Sequence, residues 1–143
     1  DGVDILHIAA HGTFDATKPL QSSIILTDGE TSSRLTAARL FEKPLRAKLV
    51  VLSACETGLG DAEAGDDFLG LARSFYIGSA LAMVNSLWPV FDKPTRLFME
   101  EFHRNAVNGD YGQAWLKARD LLKAKGMPPS VYGAFVLGGS PRG

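Results

Sequence analysis

The chain has little cysteine: one among 143 residues, Cys55. A single thiol cannot close an internal disulfide, so no disulfide scaffold supports the fold, and a reducing, cytoplasmic setting is expected. Long hydrophobic runs are also missing. No apolar stretch reaches the roughly 20 residues of a membrane-spanning helix. The N-terminal "DGVDILHIAAHG" has no basic leader and is interrupted by a histidine, so it does not read as a signal peptide. A surplus of positive charge is missing too. Fifteen Lys and Arg face sixteen Asp and Glu, for a net charge of −1, and no run of five like charges occurs. Neither a nucleic-acid footprint nor a membrane-binding basic patch is present, and neither partner is expected.

What is present suits one globular domain spanning residues 1–143. Hydrophobic residues make up 45% and charged residues 22%, enough to bury a core without staples. The first residue is not Met, so the chain reads as an excised piece of a longer protein. "VDILHIAA", "SIILT", "AKLVVLSA", "ALAMVNSLW" and "VYGAFVLGG" are short apolar runs with strand character. Between them lie helical patterns. "LTAARLFEKP" has Thr36 as N-cap, without the acidic residue that would complete a capping box. Asp66 and Asp67 can cap "DFLGLARSFYIG", since acidic residues suit a helix N-terminus. "TRLFMEEFHRNAVN" is opened by Asp92 and Pro94, and "YGQAWLKARDLLKAK" by Asp110. "DGETSS" and "ETGLGDAEAGDD" read as turn and loop. Strands alternating with helices predict an α/β sandwich around a mainly parallel sheet.

In such sheets ligands bind beyond the carboxyl ends of the strands. His11 and Cys55 both stand at such ends, 44 residues apart, and neighbouring strands would bring them to one rim. A cysteine nucleophile needs a base within hydrogen-bond reach and backbone N–H groups aimed at the developing oxyanion. His11 can supply the first, and the backbone at Gly12 and Cys55 the second. The bland alternative is a small buried hydrophobe at Cys55. Metal chemistry is poorly served. His7 and His11 are separated by roughly 13 Å if they lie on a strand, which one tetrahedral ion cannot span. His7 reads as a core or neighbouring-strand residue. Glu100 and His103 form one half of a di-iron motif that requires two, so His103 reads as a helix-surface residue. "GLGDAEAG" lacks the spacing of a phosphate loop and carries acidic residues that would repel phosphate. No metal and no cofactor is expected.

"LHIAAHGTFD", "LVVLSACETGLGDAEAGDDFLGLARSF", "VNSLWPVFD" and "YGAFVLGG" together resemble the CHAT family of caspase-like domains, often attached to tetratricopeptide repeats and related to separase. The resemblance runs from about Ile5 to Gly139. It implies a caspase-like three-layer α/β/α sandwich and a cysteine endopeptidase. Cys55 aligns with the nucleophile, His11 with the general base, and the N–H groups of Gly12 and Cys55 with the oxyanion hole. Asp92 matches an acidic residue that receives a basic substrate side chain in separase-like relatives, its competing role being a helix N-cap. Glu56 is a second candidate for substrate binding. The implied partners are a protein or peptide substrate and repeat domains in the parent chain. The sequence departs from the family pattern at Phe91, where an acidic residue is usual, at "IGSA", where Gly78 stands one place early, and at Tyr132, where Trp is usual. The same scaffold can also serve as a catalytically silent interaction module, or act on a non-peptide acyl group.

Caspase-type sheets carry strand–helix units ahead of the histidine strand, and here the chain begins at that strand. An exposed sheet edge and helix-packing face would follow. Residues 1–143 alone are therefore expected to be oligomeric or poorly soluble, and a monodisperse monomer on size-exclusion chromatography would refute this.

Overall fold

The computed structural model describes residues 3–13, 15, 17–43, 46–56 and 80–143, and of 54–56 the backbone only. Six strands form one sheet in the order β3-β2-β1-β4-β5-β6. They are β1 (Val3–Thr13), β2 (Ser23–Thr27), β3 (Ser32–Thr36), β4 (Ala47–Glu56), β5 (Ala80–Ser86) and β6 (Phe135–Gly139). The helices are α1 (Ala37–Glu42), α2 (Asp92–Ala106), α3 (Tyr111–Ala124) and α4 (Pro129–Tyr132), with a 3-10 turn at Pro19–Gln21.

The centre of the sheet is parallel. β1 pairs with β4 in register from Val3↔Ala47 to Gly12↔Glu56, and β4 pairs with β5 from Ala47↔Ala80 to Leu52↔Asn85. The apolar runs explain this. Side chains alternate across a strand, and β4 buries both sets. Leu49 and Val51 face one layer, Val50 and Leu52 the other, all four fully buried. The first layer is α2 and α3. Phe98, Met99, Phe102 and Ala106 of α2 join Tyr111, Ala114, Ala118 and Leu122 of α3 against Leu49, Val51, Ala82 and Val84. Both sets follow helical spacing, which gives each helix one apolar stripe. On the opposite face, Ala37 and Leu40 of α1 pack with Ile8, Val50, Leu52 and Met83. These are the three layers expected from sequence.

The sheet as a whole is mixed. β1–β2, β2–β3 and β5–β6 are antiparallel, so parallel pairing is confined to the centre. The reasons are connective. β2 and β3 form a hairpin about Asp28, whose carboxylate accepts from the amides of Glu30 and Thr31 at 3.0 and 2.7 Å, with Gly29 at φ +97°. One helix between strands returns the chain for a parallel pair. Two long helices, α2 and α3, and the single turn of α4 separate β5 from β6, so β6 enters at the opposite end. The 15 residues of α2 span about 22 Å, close to the height of β5.

Several expected boundaries move. Part of "DGETSS" belongs to β3, a polar strand whose first three residues are exposed. Glu56 closes β4 rather than opening the loop. "VYGAFVLGG" divides: Val131 and Tyr132 end α4, because Pro129 favours a helix start, and the strand begins at Phe135. Thr36 does cap α1, accepting from the Arg39 amide at 3.2 Å, and Asp110 caps α3 through the Gln113 amide at 3.0 Å. The expected helix over 67–78 and most of the loop before it lie outside the described residues.

β2 pairs with β1 only at His11, Gly12 and Thr13. Among the described residues no strand pairs with that edge of β1 from Val3 to Ala10.

Phe98 is fully buried and stacks on Phe135 with centroids 4.0 Å apart, joining α2 to β6. Phe98→Ala is expected to cost about 3–5 kcal/mol in denaturant unfolding of the protein, with Phe98→Leu recovering most of it. A loss below about 1 kcal/mol would show that this contact does not hold α2 to the sheet.

Candidate functional site at the carboxyl rim

β1, β4 and β5 run the same way and end at one rim. Near that rim His11 is opposite Cys55 in register, and Gly12 is opposite Glu56. Adjacent strands are about 4.8 Å apart, and registered positions of a parallel pair share a face. Residues 11 and 55 therefore occupy neighbouring places in one row. His11 is exposed and Gly12 buried. The cause is the sequence itself: two apolar runs of similar length enter the sheet together, so their polar ends emerge together.

Asp92 lies at the same rim beyond β5. It is exposed, and among the described residues it makes no side-chain hydrogen bond or ion pair. It is not the N-cap of α2. Phe91 holds that position, and Asp92 is the first helical residue. An acidic residue there still complements the helix dipole. Phe91 is 84% exposed and Trp88 43% exposed. The Trp88 indole Nε1 donates to the Ser130 carbonyl at 2.8 Å, which ties the segment after β5 to α4.

The row through His11 continues the other way, to Ile25 of β2 and Arg34 of β3. Arg34 Nη1 donates to Thr13 Oγ1 at 3.0 Å and to Ser23 Oγ at 3.2 Å, and the two hydroxyl oxygens are 2.9 Å apart. Sequence reading passed over Arg34 because β3 lacks the apolar alternation that marks a strand. Recognising "LTDGETSSRLT" as a hairpin about Asp28-Gly29 would have exposed it.

His7 and His103 also need correction. Rather than a core residue, His7 is a partly exposed strand position facing α2, with its ring covered on one side by His103. His103 is half-buried rather than a plain surface residue. His103 Nε2 and His7 Nδ1 are 3.0 Å apart, the rings stacking at 4.9 Å with 27° between planes. One nitrogen donates and the other accepts, so at least one ring is neutral. Nothing in the local spacing of either histidine signals this pair, which forms across 96 residues. Glu100 does not join it. Its carboxylate pairs instead with Arg96 at 3.5 Å. Among the described residues no group of three or more metal-ligating side chains converges, and no helix is long and apolar enough to cross a membrane.

Burial, and secondarily the nearby His103, lowers the pKa of His7, while burial lowers that of His103. The unfolded chain therefore binds more protons than the folded one as pH falls below the ordinary histidine value of 6.5. The stability contributed by this pair is complete above that pH and is lost as pH falls through the folded-state values. Melting temperature is expected to drop between pH 7.5 and 5.5, and the drop should be shallower in His103→Phe. Equal slopes for the two proteins would remove the pair as the cause.

A sheet with a parallel centre, helical layers on both faces and its polar strand ends gathered at one rim defines an α/β domain of caspase-like build. The family model for the CHAT domain matches residues 1–122, and the chain belongs to that family, whose members are related to caspase-like peptidases. The chain is 33% identical over 109 residues to Tetratricopeptide repeat protein 28 of Mus musculus, and 31% identical over 109 residues to that of Homo sapiens. Each match covers 74% of this chain and 4% of the relative, so the chain spans a small fraction of those proteins.

Proposed function

We propose that this domain is a cysteine endopeptidase working with a His11–Cys55 dyad in regulated proteolysis or signalling. The observation that carries the proposal is the register of His11 against Cys55 on adjacent parallel strands at the carboxyl rim. In this mechanism His11 takes the thiol proton and the Cys55 thiolate attacks the peptide carbonyl. The backbone N–H groups of Gly12 and Cys55 receive the oxyanion. His11 then protonates the leaving amine, and water, deprotonated by His11, hydrolyses the thioester and restores the thiol. A histidinium beside the sulfur would hold the thiol pKa low. Asp92, and Glu56 at the end of β4, bind the substrate, Asp92 receiving a basic side chain. The domain acts in the cytoplasm as part of a longer chain containing tetratricopeptide repeats, as the names of its relatives suggest.

The same relatives favour a second reading, because repeat arrays are binding scaffolds. In it the domain is a catalytically silent interaction module. The test is cleavage-site profiling of the intact parent protein against its Cys55→Ala variant, with partner binding measured in parallel. For a peptidase, Cys55→Ala and His11→Ala should each lower cleavage by at least about 10³-fold while partner binding persists. Cleavage that survives in Cys55→Ala, or binding that fails with no cleavage in either protein, would favour the silent module.

A further inference from the structure

Arg34 stands out among the cations of the domain. It lies on an edge strand, in the row that runs through Ile25 to His11. Its guanidinium is drawn back across the sheet to Thr13 and Ser23, at the rim end of β1 and the start of β2. Ser23 is fully buried, so one of the two oxygens that hold the guanidinium belongs to a fixed part of the core. Both partners are neutral hydroxyls. Among the described residues no carboxylate forms an ion pair with Arg34. Asp15, the acidic residue nearest in sequence to Thr13, is engaged elsewhere. Its carboxylate accepts from the Thr17 hydroxyl at 2.7 Å and from the amides of Thr17 and Lys18 at 3.0 and 2.9 Å. The Thr17 hydroxyl and the Lys18 amide lead in lowering its pKa.

A guanidinium carries five donors in a rigid fork. Nη1 is spent on Thr13 and Ser23, while Nη2 and Nε make no hydrogen bond to the described residues. That remaining edge has the geometry to grip a carboxylate through two parallel bonds. A cation already immobilised loses less side-chain entropy on binding than a free one. Thr13 is two residues beyond His11 on the same face of β1, so the guanidinium lies at the rim. With the strand order β3-β2-β1-β4-β5, it flanks position 55 on the side away from Asp92.

We propose that Arg34, pinned by Thr13 and Ser23, forms an anion subsite that reads an acidic side chain of a peptide engaged at the His11–Cys55 rim. The proposal rests on the peptidase reading. It adds that the recognised peptide has opposite charges on its two flanks: basic toward Asp92 and acidic toward Arg34. Arg34 is then a specificity-determining residue and takes no part in bond breaking.

The test is a positional library of quenched-fluorescent octapeptides given to the intact parent protein, with Asp, Ala or Lys placed in turn at every position. At one position away from the one that prefers a basic residue, Asp should be favoured over Ala by about tenfold in kcat/KM. Arg34→Ala should bring that ratio close to one, Arg34→Lys should keep part of it, and Arg34→Glu should turn the preference toward Lys. Cleavage that depends on Cys55 but shows the same charge profile in all Arg34 variants would overturn the subsite and leave the peptidase reading standing. If no peptide is cleaved in a Cys55-dependent way, the peptidase reading falls and the subsite falls with it.

Discussion

The parallel register of β1 against β4 is the constraint on which the rest depends. Nine registered pairs join the two strands, and β4 buries side chains on both of its faces. A slip of one residue would turn every buried side chain of β4 to the opposite layer. It would also move His11 off the row of Cys55. Core packing and the placement of the polar strand ends are therefore one condition. The apolar residues that exclude other registers also set His11 opposite Cys55.

The flanks of the sheet follow from that centre. On one side the chain turns back through a hairpin and places a polar strand, β3, at the edge. Its exposure leaves room for a charged residue such as Arg34. On the other side two helices of similar length carry the chain down the sheet and back, so β6 enters at the rim and runs away from it. α2 leaves the rim at Asp92 and passes over the lower part of β1, where His103 meets His7. One end of the domain is thus lined by strand ends, a hairpin and a helix start. These contribute residues from four separate stretches of sequence.

Much of this was legible in the residues. The strand runs around Ile8, Ile24, Val50 and Val84 announced themselves by apolar, β-branched content, and the α2 and α3 stripes by their spacing. Caps at Thr36 and Asp110 were readable because a side-chain oxygen three residues before an amide is a local matter. The placing of His11-Gly12 and Cys55 was legible as two equivalent strand ends, whereas Glu56 reads as the start of the loop and only the structure puts it opposite Gly12. Legibility failed wherever the deciding partner was remote or the local pattern weak. β3 has a sequence without hydrophobic alternation, and it is a strand because β2 offers it hydrogen bonds. Val131 and Tyr132 look like strand residues, yet the prolines before them set a helical turn first. Asp92 looks like a cap, but the helix begins one residue earlier than its spacing suggests.

The sequence by itself determined the alternation of strands and helices, the family to which the chain belongs, and the placing of His11 and the single cysteine, Cys55, at two strand ends. Those depend on local periodicity and on the chemistry of single side chains. Tertiary structure decided which strands became neighbours, where parallel pairing gave way to antiparallel, and which remote groups met. His7 against His103 and Arg34 against Thr13 and Ser23 are of that last kind. Such contacts are absent from any short window of sequence because they form only when sheet and helices close on a shared core.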